Sequence, residues 1–312
     1  MTPWGFLSKR DTSHSESYGP ATPATDGSPP HADSPELKQK RSLQLWLALL
    51  VVFAVLFILY LPTFVWLVQS WLHNTSYSHG FLIPFVSGFI VWMKRKELKQ
   101  TQPNDAGVIG LALGGVLFIV GFVWEMRYLS AISFIVVLFG LALSFYGAKV
   151  AKSMAFAIGF LVFMIPMPFI DDITFNLQSI SIHSSGWLLR AMGLPITTTG
   201  SLISLDDTTF SIGLPCSGLN TLIALVAFAA LYVYLLAGPS SKRVFLFLCS
   251  IPIAILANIL RIASIVLVAH YYDMDFAAGF YHDISNLPVF LLAILVIALI
   301  GKILGLRFMA RI

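Results

Sequence analysis

Pro215-Cys216-Ser217-Gly218-Leu219-Asn220 is where this chain changes character. Before it, from about Ile196 to Gly213, the sequence is polar, threonine-rich and strand-like. After it, Leu222 to Ala237 is almost wholly apolar. The change marks a water-facing segment entering a membrane helix, with Cys216 at the helix N-terminus. A thiol there feels the positive end of the helix dipole and faces backbone N–H groups that lack a helical partner. Both favour the thiolate, the nucleophilic form. A free cysteine is also a small residue that packs well in an apolar core. On its own, therefore, the stretch leaves Cys216 as either a nucleophile or a packing residue.

Working outward, the 312 residues are 57% hydrophobic and 11% charged, where soluble domains carry about a quarter charged residues. The mean hydropathy is +0.84. The apolar runs are long and lack the period-2 alternation of barrel strands, so the fold class is an all-α polytopic membrane protein. The net charge of +4 is not a nucleic-acid signature, because the basic residues sit in short clusters beside apolar spans. The partner this implies is the lipid bilayer. The cysteines, Cys216 and Cys249, give no disulfide framework. The first apolar run starts near Leu43, after a polar tail, so no cleavable signal peptide is expected.

Residues 1–40 are rich in Pro, Ser, Thr and Asp and lack an apolar period, which predicts a disordered tail. Residues 41–312 form the membrane domain, with about eight spans on a reading of apolar runs. They start near Leu43, Phe81, Val108, Leu129, Lys149, Ser217, Val244 and Leu287. The run from Phe81 to Met93 has only about thirteen residues, marginal for a hydrocarbon core about 30 Å thick. Residues 167–215 are different. Pro166 and Pro168 break a helix, and apolar and polar residues then mix up to about Met192, as in an interfacial helix. Ser201–Leu205 and Thr209–Gly213 flank Asp206-Asp207-Thr208, the pattern of a β-hairpin. A short loop carrying Asp273, Asp275, His282 and Asp283 precedes the last span.

Basic clusters at Lys38–Arg41, Lys94–Lys99, Lys149 with Lys152, Lys242 with Arg243, and the C-terminus fall on one side if there are eight spans. By the positive-inside rule that side is the cytoplasm, and both termini lie there. Residues 167–215, Cys216 and His282 then lie outside. Arg261 is in the seventh span, roughly 15 Å along the helix from Tyr271. A charge inside a span costs about 2.5–3.5 kcal/mol or more, so such a residue normally faces the bundle interior and has a partner. Asn258 lies three residues earlier on the same face, placed to hold the guanidinium or meet a substrate backbone. Cys249 falls near the opposite end of that span, too far for a disulfide with Cys216, and reads as packing. His73, His79, His183 and His270 compete with His282 for any role needing imidazole. No zinc-ligand spacing, P-loop or Gly-x-Ser-x-Gly pattern is present, so neither a metal nor a cofactor is expected. A cysteine with a histidine in reach is the usual form of an activated thiol, and a cation or N–H donor stabilises the oxyanion.

Pro215-Cys216-Ser217-Gly218-Leu219, Ala257-Asn258-Ile259-Leu260-Arg261-Ile262 and His282 resemble the three signature blocks of the exosortase/archaeosortase family. Tyr77-Ser78-His79-Gly80 with Pro84, and Phe163-Met164-Ile165-Pro166-Met167-Pro168, are similar to its upstream blocks. The likeness covers about residues 45–305. The histidine block fits more loosely, with Asp283 after His282 and Asn286-Leu287-Pro288 where a glycine is expected. The resemblance implies a cysteine protease-transpeptidase of the bacterial inner membrane. It would cleave a C-terminal sorting signal of exported proteins: a short motif, often Pro-Glu-Pro, then a transmembrane helix and a basic tail. It would pass the acyl group to a surface acceptor. By matching positions, Cys216 is the nucleophile, His282 the acid/base and Arg261 the transition-state or substrate partner, with Asn258, His79 and Ser217 in support. A transporter built around Arg261 and a non-catalytic subunit of an envelope polysaccharide or protein export system remain open alternatives at this stage.

Overall fold

The computed structural model describes residues 35–99, 104–205, 208–211 and 218–309. The apolar runs fold as helices because, in lipid, each backbone N–H and C=O must find its partner within the segment. The order is α1 (Pro35–His73), a 3₁₀ turn (Thr75–Phe81), α2 (Leu82–Met93), α3 (Ala106–Val123), α4 (Arg127–Tyr146) and α5 (Ala148–Phe160). Next come α6 (Ile170–Ala191), strands β1 (Ile196–Thr199), β2 (Leu202–Leu205) and β3 (Thr208–Ser211), and α7 (Leu219–Leu235). A two-residue β4 (Leu236–Ala237), α8 (Ser240–Tyr271), the short α9 (Met274–Phe276), a π turn (Ala277–Tyr281), α10 (His282–Ile303) and β5 (Arg307–Phe308) follow. Residues 1–34, most of the expected tail, lie outside the described residues.

Among the described residues, 5 helical stretches are long and apolar enough to cross a membrane: Leu50–His73, α3, α4, α8 and Met274–Ile303. The remaining expected spans correspond to α2, α5 and α7, which are shorter. Twelve residues of α2 rise only about 18 Å. A 3₁₀ turn (Leu161–Met164) extends α5, and the one that carries Thr75–Phe81 links α1 to α2. Large apolar side chains, among them Ile109, Phe122, Phe85 and Leu72, stand exposed. Apolar surface this extensive belongs against lipid. The chain is a multi-pass, all-α membrane protein.

Contacts divide the chain after Leu56, and everything that follows concerns the unit Phe57–Ile312. Gly107, Gly114 and Gly121, seven residues apart, are the buried positions of α3 and face Ser144, Val137 and Ser130 of α4. A Cβ on Gly121 would come within 2.7 Å of the Ser130 backbone nitrogen. Small residues let helices approach closely, and in lipid that close packing drives their association. Tyr60 joins the pair, with its hydroxyl 2.8 Å from Ser133 Oγ and its ring on Phe118 and Phe134.

The basic clusters meet at one end of this unit. Lys94 Nζ donates to Ser153 near the start of α5 and lies over the Tyr234 ring at the end of α7. Arg243 Nε donates to the Val233 carbonyl, Lys242 Nζ donates to the Leu304 carbonyl, and β4 pairs with β5. The C-terminal end of α8, away from these clusters, carries the insertion. There β1, β2 and β3 form an antiparallel meander. The expected hairpin is present as β2–β3, with Leu205 opposite Thr208, and β1 adds a third strand. Ile203 and Leu205, two apart and therefore on one face, pack with Ile182 and Leu189 of α6 against Ile262, Ala263 and Val266 of α8.

One stretch differs from its expectation. The segment read as a loop before the last span is almost entirely helical, from Met274 through the π turn into α10. Asp273 caps it, its carboxylate accepting from the Phe276 N–H at 2.8 Å. Asp275 and Asp283 point outward and are exposed. Polar residues that suggested a loop are the cap and the wet face of a helix.

Candidate active site

The site is built from the entry of α7. Gly218, its N-cap, has φ +82°, a left-handed conformation that glycine alone adopts without strain. It also lies against Asn258 of α8: a Cβ at Gly218 would fall 2.5 Å from Asn258 Cγ. Asn258 is buried, and its Nδ2 donates to Ser181 Oγ of α6 at 3.0 Å. One turn away, Ser185 Oγ donates to the Ile259 carbonyl at 3.0 Å. Asn258 thereby joins three elements: its own helix, the insertion helix, and the start of α7.

One turn along α8, Arg261 is 6% exposed. Its Nε donates to Ser285 Oγ at 3.1 Å and its Nη2 to the His282 carbonyl at 3.3 Å. Ser285 Oγ in turn donates to the same carbonyl at 3.0 Å. Both partners of the guanidinium are neutral, so they orient the charge without cancelling it. A buried cation of this kind is available to an anionic or developing-anionic group. His282, the first residue of α10, has its Nδ1 3.3 Å from Asp283 Oδ1. In the neutral ring, an Nδ1–H donating to that carboxylate leaves Nε2 as the basic nitrogen.

Of the residues singled out in the sequence, the structure brings Arg261 and His282 into contact and sets Asn258 against Gly218. Cys216 and Ser217 lie outside the described residues. Asn258 contacts Ser181 and Gly218, while the guanidinium is held by Ser285 and a backbone carbonyl. Ser285 and Ser181 were missed. The signal for Ser285 was its i+3 spacing from His282 on one helix face, hidden by reading that stretch as a loop.

His79 sits in the 3₁₀ turn beside Gly80, which packs on the Trp71 indole. Its Nε2 is buried, with no hydrogen-bond partner among the described residues. Burial pushes its pKa below 6.5, opposed in part by the backbone carbonyls of Phe163 and Ser76. The other described histidines are differently placed. His73 and His183 contact carbonyls of their own helices at the surface, and His270 lies against the Tyr271 ring. His14 and His31 lie outside the described residues. Cys249, near the start of α8, is about 18 Å of helix rise from Arg261. The described residues bring no three of His, Cys, Asp and Glu together in a metal-binding group.

Residues 71–299 match the family described as transmembrane exosortase. Neither the curated proteins nor the solved structures give a match. The matched region runs from the end of α1, through the 3₁₀ turn bearing His79, the entry of α7 and Arg261, into α10 beyond His282. It takes in well over half of the chain and every candidate site residue, and the chain belongs to the exosortase family.

Proposed function

We propose that this exosortase is a cysteine protease-transpeptidase acting on the C-terminal sorting signals of exported proteins, with Cys216, Arg261 and His282 as its working groups. The observation that carries the reading is the buried guanidinium of Arg261. It is held in place by the Ser285 hydroxyl and the His282 carbonyl and lies one helical turn from the Asn258–Gly218 contact. Cys216 precedes Gly218 by two residues, and two peptide units span at most about 7 Å.

The chemistry follows from these groups. The Cys216 thiolate attacks the scissile carbonyl, and the oxyanion draws on Arg261. The C–N bond breaks, His282 protonates the leaving amine, and a thioester remains on Cys216. An acceptor then attacks the thioester carbonyl and the thiolate leaves. By the positive-inside rule the end of the bundle bearing the basic clusters would face the cytoplasm, which supports a site on the outer side of the bacterial inner membrane. The substrate would bear a short motif of the Pro-Glu-Pro kind, a transmembrane helix and a basic tail. Co-expression with such a substrate tests this. Uncut precursor with Cys216→Ala and Cys216→Ser supports the reading, and normal processing by Cys216→Ala excludes it.

A further inference from the structure

A pocket opens beside this site, between the 3₁₀ turn, α7 and α10. It has a volume of about 270 Å³ and is lined by Ser78, His79, Asn220, Thr221, Asn286 and Phe290, with Ala224 at its wall. Its position is fixed by the chain. Asn220 is in the first turn of α7, two residues after the Gly218 N-cap, and Asn286 follows His282 by four residues in α10, about one helical turn away. It is also braced: Ser76 Oγ donates to Asn220 Oδ1 at 2.6 Å, and Thr221 Oγ1 donates to Asn286 Oδ1 at 2.9 Å. With its oxygen engaged as an acceptor, Asn286 presents its –NH₂ as a donor. His79 Nε2 is buried and meets no partner among the described residues. Among the described residues the lining contains hydroxyls, amides, an imidazole and an aromatic ring but no charged side chain, which suits a small neutral hydroxyl or amine.

We infer that this pocket seats the nucleophile that resolves the acyl-enzyme, a hydroxyl or neutral amine, with His79 as its base. The inference rests on the thioester reading above. In this step the acceptor O–H or N–H attacks the thioester carbonyl while its proton passes to His79 Nε2. The new C–O or C–N bond forms, the C–S bond breaks, and the Cys216 thiolate leaves. The proton on His79 then returns to the thiolate through solvent. Two imidazoles divide the work: His282 serves the leaving amine and His79 the incoming group. Burial disfavours the charged imidazolium of His79, and the neutral ring is the form that accepts a proton.

The test uses full-length enzyme co-expressed with a signal-bearing substrate, with the acyl-enzyme measured by mass spectrometry. His79→Ala and His79→Gln are expected to cut the substrate but accumulate the thioester at least about tenfold over wild type, as general-base loss should give. Asn286→Ala should move in the same direction. Hydroxylamine, which attacks thioesters without a base, should release the trapped product. Wild-type turnover by both His79 variants would overturn the inference, as would uncut precursor with no adduct in folded protein. If His79→Ala fails to fold, His79→Gln and Asn286→Ala decide by the same criteria. Cys216→Ala is run in parallel: normal processing there defeats the nucleophile reading itself, a different signature from failure at His79.

Discussion

Gly218 and Asn258 lie in a contact that no side chain larger than hydrogen fits. A Cβ on Gly218 would be 2.5 Å from the asparagine Cγ, and the glycine φ is +82°. The contact fixes where α7 begins relative to α8. Gly218→Ala is therefore expected to lose about 1–2 kcal/mol to the left-handed backbone alone, with a further loss from the clash. Processing should fall with stability. Asn258→Ala in the same chain should recover part of the clash but none of the backbone strain. Thermal melts of the single and double variants in detergent measure both components.

Arg261 has a charge role and a shape role, and substitutions separate them. Arg261→Ala should lower substrate cleavage about 10²–10³-fold, the usual effect of losing one oxyanion donor. Arg261→Lys keeps the charge but loses the planar fork that reaches Ser285 and the His282 carbonyl together, and should remain well below wild type. Ser285→Ala removes one orienting bond and should cost about tenfold or less. Wild-type cleavage rates for Arg261→Lys and Arg261→Ala together would remove this residue from the mechanism.

The ring of His79 has its pKa lowered from 6.5 in the folded state by burial. As pH falls through about 6.5, the unfolded chain takes up this proton before the folded one does. The unfolded state then binds more protons, so stability falls with falling pH and is fully present above about 6.5. The melting temperature of wild type should drop as pH falls below about 6.5, and His79→Gln should flatten that part of the curve. An unchanged slope would contradict the burial of this ring.

Much of this was legible in the sequence, and what escaped has physical causes. The helical class, the insertion and the burial of Arg261 follow from apolar run length and the cost of a charge in lipid. The three-stranded form of the sheet was partly hidden, because Ile196–Thr199 carries the same Thr-rich pattern as its neighbours and no separate turn signal. The helix from Met274 to Tyr281 was missed because a cap and a wet face share the residue types of a loop. The partners of Arg261 and Asn258, Ser285 and Ser181, are small hydroxyl residues that only three-dimensional packing distinguishes from the chain's many other serines.

The α3–α4 pair offers a clean control on packing, since neighbouring glycines differ in surroundings. A Cβ at Gly114 would meet Val137, whereas none of the described residues lies within 4 Å of one at Gly115. Gly114→Leu is expected to destabilise by about 1–3 kcal/mol through overpacking. Gly115→Leu should be neutral or slightly stabilising, since leucine is the better helix former. Equal melting temperatures for the two variants would contradict the close approach of these helices.

The central claim is that the sulfur of Cys216 carries the substrate acyl group. Mass spectrometry of peptides from the enzyme, isolated with a co-expressed substrate and quenched in acid, tests it directly. The account predicts the substrate's cleaved C-terminal acyl group on the peptide containing Cys216, released by hydroxylamine and absent from Cys216→Ala. Cut substrate from Cys216→Ala, or an acyl group found on another residue, would contradict it.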